Sequence, residues 1–107
     1  MNTINNILSP TGVPISRLNY AGSEDPYITF FFYGEQGEAF ADDKETSTGY
    51  YLQVDIWTKG NFTALANQVK SLMEDADFKR IYSTELHESD TGLNHKVLRF
   101  SHYEENS

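Results

Sequence analysis

"YYLQVDIWTKGNFTALANQVKSL", residues Tyr50 to Leu72, changes its apolar repeat partway along. In its first part Tyr50, Leu52, Val54 and Ile56 alternate with Tyr51, Gln53, Asp55 and Trp57, the repeat that sets one face of a strand against a core. After "TKGN" the step lengthens. Phe62, Leu65, Ala66, Val69, Leu72, Met73 and Ala76 recur at helical spacing, while Asn67, Gln68, Lys70, Ser71, Glu74 and Asp75 take the outer side. This predicts a strand over roughly Gly49 to Thr58 that feeds an amphipathic helix packed on a sheet. Asn61 suits the N-cap, because its side-chain oxygen can accept from an unpaired amide of the first turn.

On the N-terminal side, "YITFFFYG" (Tyr27 to Gly34) reads as a strand, rich in aromatic and β-branched residues and closed by glycine. Neither of its faces is plainly polar, so both are expected to be covered. Between the two strands lies "EQGEAFADDKETS", residues 35–47, where Glu35, Glu38, Asp42, Asp43 and Glu45 face a single Lys44, a net charge of −4. It is expected to be a long acidic loop, and a connection of that length is expected to be functional or disordered. Residues 1–14 are expected to be a flexible arm: a short turn carrying Ile4, Ile7 and Leu8 is stopped by Pro10, Gly12 and Pro14. An extended piece follows over Ile15 to Tyr20, then "AGSEDP" as a turn.

On the C-terminal side, two more strands are expected, about Lys79 to Glu88 and His95 to Tyr103, joined by "SDTGLN". The predicted fold class is therefore α+β. It comprises an antiparallel sheet of about four strands in two hairpins, one main helix across one face, and a short N-terminal element. The 107 residues make a single domain.

Composition narrows the function. Sixteen acidic against eight basic side chains give a formal charge of −8, which argues against an electrostatic grip on phosphate. An acidic surface suits instead solubility, a basic partner, or a passage that DNA traverses without sticking. Zero cysteines remove disulfides, thiolate metal sites and cysteine nucleophiles together. No segment approaches the roughly 20 apolar residues of a membrane span, and the start shows no signal-peptide pattern. The expectation is a soluble protein made in the cytoplasm.

Candidate chemistry is sparse. His87, His95 and His102 lack the short spacing of a metal loop and are expected to be surface or interface histidines. Asp55, inside an apolar strand, is expected to lie on the less buried face and pair with Lys or Arg, although a general-base role is the alternative. "NFT" at Asn61 to Thr63 matches a glycosylation sequon but lacks the secretory context. No glycine-rich phosphate loop, serine elbow or paired-carboxylate motif stands out. No cofactor, metal or catalytic residue is assigned.

Gln53-Val54-Asp55-Ile56-Trp57 running into the helix, Pro26-Tyr27 ahead of the aromatic strand, and the "DADF" turn before a two-strand tail resemble the tail-completion proteins of long-tailed bacteriophages. That family includes tail terminators and tail-to-head joining proteins, and the resemblance covers most of Asp25 to Tyr103. It implies a non-enzymatic virion protein, made in the host bacterial cytoplasm and oligomerised as a ring, usually a hexamer, at the head-proximal end of the tail tube. The implied partners are other copies of the chain, the tail-tube protein and the head-connector protein, with DNA passing through and no membrane or small-molecule substrate. On this reading Phe31, Tyr33, Tyr51 and Trp57 are interface candidates, because the aromatic strand has more sticky surface than one helix can cover. Glu35, Glu38, Asp42, Asp43 and Glu45 are expected to face the lumen or the tail tube. The alternative is a small-ligand-binding or regulatory α+β domain acting as a dimer, which predicts an enclosed pocket with convergent polar groups.

Overall fold

The computed structural model describes the backbone of residues 3–41 and 44–105 and the side chains of residues 3–34 and 49–103. In chain order the elements are α1 (Ile4–Leu8), a 3-10 turn (Ser9–Thr11), β1 (Ile15–Arg17), β2 (Tyr27–Ala41), β3 (Lys44–Thr58), α2 (Thr63–Asp75), β4 (Lys79–Glu88) and β5 (Leu93–Glu105). The five strands form one mixed sheet ordered β1-β2-β3-β5-β4, parallel only between β1 and β2. The two expected hairpins are present, and they join through β3 and β5. The fifth strand, β1, is the shorter form of the extended piece expected from Ile15 to Tyr20.

One face of the sheet carries the core. Ile28 and Phe30 of β2, Leu52, Val54 and Ile56 of β3, and Leu98 and Phe100 of β5 meet Ala66, Val69 and Met73 of α2, with Phe62, Leu65, Leu72 and Ala76 at the margin. The change of period at "TKGN" therefore marks the crossing from sheet to helix. Helix α2 begins one residue later than expected: Phe62 is the N-cap, and the Asn61 Oδ1 accepts from Thr63 N at 2.8 Å.

At its other end α2 stops because Asp77 adopts a left-handed backbone, φ 70°. Asp77 N donates to Glu74 O and Phe78 N to Met73 O, at 3.0 and 2.9 Å. The buried side chains of Phe78 and Met73 join the core there, completing a Schellman closure.

Two expectations are corrected. From Thr3 onward the described N-terminal residues are no flexible arm: Thr3 caps α1, and Ile4 and Leu8 are 3% and 0% exposed within the core. The helix is short, but burying a leucine and an isoleucine, each contributing roughly 1.5–3 kcal/mol, offsets the cost of ordering it. Gly12, at φ 71°, then turns the chain into β1.

The second correction concerns residues 35–47. Apart from Asp42 and Asp43, which lie outside the described residues, this acidic stretch is a continuation of the β2–β3 ladder. Pairing runs on through Gln36↔Gly49 and Glu38↔Ser47 to Ala41↔Lys44. The register is already set by the core halves of the two strands, so each added pair needs no new loop closure, and no proline interrupts the ladder.

Candidate assembly interface

Among the described residues the second face of the sheet has no helix. Its rows are set by strand register: Tyr27, Trp57 and His95 lie side by side across β2, β3 and β5, then Thr29, Asp55 and Val97, then Phe31, Gln53 and Arg99. Beyond these a bulge between Phe32 and Gly34 turns Tyr33 toward Tyr51, whose ring centroid is 5.9 Å away. All four aromatic candidates, Phe31, Tyr33, Tyr51 and Trp57, are thus brought onto this one face.

Large rings cover small or polar residues in the middle of the face. Trp57 stacks on His95 with centroids 3.7 Å apart and lies 6.0 Å from Tyr27, which in turn meets Tyr20 at 4.6 Å. The Trp57 indole donates to Thr29 Oγ1 at 3.0 Å. Beside this row Thr29, Asp55 and Val97 are buried, as is Ser101 farther along β5 in register with Tyr51, although among the described residues no helix lies above them. Burial is also the first cause that raises the Tyr27 phenol above its usual range, with Glu88, Asp25 and Tyr20 adding to it.

Asp55 is 4% exposed and does not pair with Lys or Arg as expected. His95 Nε2 lies 2.7 Å from its Oδ1, and Gln53 Nε2 donates to both carboxylate oxygens at 2.9 and 3.2 Å. Gln53 Oε1 then accepts from Arg99 Nε at 3.0 Å. The chain His95–Asp55–Gln53–Arg99 satisfies a carboxylate that would otherwise be costly to bury. Its hydrogen bonds also hold the arginine in place.

Arg99 is the exposed end of that chain. Its guanidinium carbon lies 5.3 Å from the Tyr33 ring and 5.1 Å from the Tyr82 ring, and among the described residues it forms no ion pair. Tyr33 and Tyr82 beside it, and Tyr103 and Leu86 farther along the same face, all stand more than two-fifths exposed. An arginine held between tyrosines on an aromatic surface has the composition of an interface hot spot. Sequence reasoning missed Arg99, Tyr82 and Tyr103. The period-two pattern of β5 puts Val97, Arg99, Ser101 and Tyr103 on one face, but which strand lies beside it is not written in that pattern.

The remaining candidates are dispersed. His102 stacks on Phe78 at 4.8 Å and donates from Nδ1 to Asp77 O at 2.9 Å, so it is a core-margin residue, and His95 is 12% exposed within the Asp55 pair. Only His87 sits on the surface as expected, against Asn94 Oδ1. Among the described residues no three His, Asp or Glu side chains are grouped to hold a metal. Glu35, Glu38 and Glu45 lie in the paired arm, opposite Tyr50, Ser47 and Phe40 in register. A concavity of about 620 Å³ lies where the β3–α2 turn, with Gly60 and Phe62, meets Leu86 and His87 of β4. It is wide open, unlike the enclosed shape expected for a ligand site.

A helix-backed sheet whose other face is a prepared aromatic surface defines a small α+β protein that works by contact. The match to a family model specifies the kind. Residues 10–105 match the model described as "Tail completion protein gp17", and the chain belongs to that family. It is accordingly a structural, non-enzymatic protein of phage tail completion, a virion component. No curated protein matches the sequence. A chain in the solved structure titled "Virion of native gene transfer agent (GTA) particle" shares the fold, at a TM-score of 0.58 and 14% identity, over 99% of this chain and 87% of that one.

Proposed function

We propose that this protein forms a ring at the head-proximal end of a phage tail tube, between the tube and the head connector, with DNA passing through its centre. The observation that carries this reading is the helix-free face with Arg99 held between Tyr33 and Tyr82. A rigid subunit with one large contact surface and a second, distant projection can join neighbours head to tail, and such contacts close into a ring. The acidic arm of β2 and β3 leaves the body at the end of the sheet where α2 terminates, and it is the part able to reach past the subunit's own boundary. Family membership supports the place in the virion. The resemblance to tail terminators and joining proteins supports the ring.

The test is removal of the gene from the phage or prophage that encodes it, followed by electron microscopy of the products. The expected result is filled heads and separate tails. Tubes of excess length would mark a protein that stops tail growth, and tubes of normal length one that seals the joint. Complete infectious particles without the protein would overturn the proposal.

A further inference from the structure

A second surface feature lies away from the aromatic face. Between α2 and the edge formed by β4 and β5 is a cleft of about 210 Å³ into which Lys70, Arg80 and Lys96 converge, with Asn67 and Ser83 beside them and Leu98 on the floor. Three of the eight basic residues of a chain with formal charge −8 are thus gathered in one small concavity. Only Lys96 has a carboxylate partner among the described residues: Glu85, at 3.3 Å, whose side chain is 63% exposed. Arg80 reaches Ser83 Oγ at 3.1 Å. The cleft keeps a surplus of positive charge and of donors, the requirements for holding carboxylates.

We infer that this cleft receives the acidic β2–β3 arm of a neighbouring copy. Two observations select that occupant. The first is charge: residues 35–47 hold five acids and one lysine, and identical subunits of charge −8 repel one another unless acidic and basic parts are brought together. The second is the arm's backbone. From Gly34 to Ala41 it extends about 23 Å at the usual rise per residue, in a molecule 53 Å long and 26 by 23 Å across. Among the described residues β5 accompanies it only as far as Ser47↔Glu105, and the outer edge of β2 has no strand partner beyond Phe30. A ribbon with so little backing is marginal in water and gains stability when a partner covers it. This inference rests on the ring reading, since arm and cleft are different parts of the surface and their union is head to tail.

The test uses virus particles assembled from a mixture of isotopically light and heavy copies, treated with a zero-length carbodiimide. Expected is coupling of Lys70 or Lys96 in one copy to an acid within residues 35–45 of a copy of the other isotope. Coupling between copies elsewhere, with none between cleft and arm, would overturn this inference and leave the ring intact. No coupling between copies anywhere would count against both.

Charge reversal supplies a second readout. Lys70→Glu with Arg80→Glu is expected to lower particle yield at least about tenfold, and adding Glu35→Lys with Glu38→Lys to the same chain to restore most of it. A quadruple variant that folds, by circular dichroism, yet remains as deficient as the double variant would overturn the pairing.

Discussion

At the scale of single residues, two aspartates show how environment decides what a carboxylate does. Asp25 is exposed, yet the Thr58 hydroxyl and then the Lys59 amide donate to it and hold its pKa below the usual 3.8. A depressed folded value means that Asp25 adds stability above its unfolded pKa and loses it as pH falls through the folded one. Asp25→Asn is therefore expected to flatten the loss of stability below pH 3.8, as read by urea unfolding at a series of acidic pH values. Asp55 is the opposite case, buried and supplied with partners. Asp55→Ala leaves the His95 imidazole and the Gln53 amide without an acceptor, and about 2–4 kcal/mol of stability should be lost. Asp55→Asn, which keeps one acceptor oxygen, should cost less, and a comparison of urea midpoints at equal slope checks the order.

At the scale of elements, the closure of α2 carries a correctable cost. Asp77 holds φ 70°, a conformation that charges a side-chain-bearing residue on the order of 1 kcal/mol and glycine little. Asp77→Gly should therefore raise stability by several tenths to about 1 kcal/mol, visible as a higher urea midpoint with unchanged slope. The N-terminal segment makes the reverse point. Leu8 is wholly buried, so Leu8→Ala should cost about 2–5 kcal/mol, as for a central core residue and unlike a residue of a loose arm. Thermal unfolding of the variant against the parent measures it.

At the scale of the whole molecule, the main apolar core lies on the helix-backed face of the sheet, and the aromatic contact surface proposed above lies on the other. Tyr82 and Tyr103 are 48% and 51% exposed, so replacing both with serine should cost about 1–3 kcal/mol and leave the protein folded, as thermal unfolding checks. The same double variant is expected to lose incorporation into particles, scored by protein composition of purified virions. Normal incorporation would remove the aromatic face from the contact. The 107-residue chain thus carries rings on both sides of the sheet: one set packs against α2, and among the described residues no helix lies over the other.

Much of this was legible in residues 50–76, where the repeat changes from two to about 3.6 and Leu52, Val54 and Ile56 of the strand, with the seven apolar positions read for the helix, face the core or its margin. The side of the sheet taken by Phe31, Tyr51 and Trp57 could be read because alternation along a strand is a local property. Asp55 could not be matched with His95, nor Arg99 with Gln53, because those pairs exist only once β5 lies beside β3. The acidic stretch was misread for a related reason. Its residues have weak preferences of their own, and a ladder begun in the core carries them into strands. By itself the sequence determined the core parts of β2, β3, β4 and β5, helix α2, their inner faces and the surplus of negative charge, since all of these follow from repeats and counts along a few neighbouring residues. Only the tertiary structure decided the strand order, the polar chain behind Arg99 and the basic cleft, because each is a meeting of residues far apart in the chain, and packing of the whole sheet selects which of them meet.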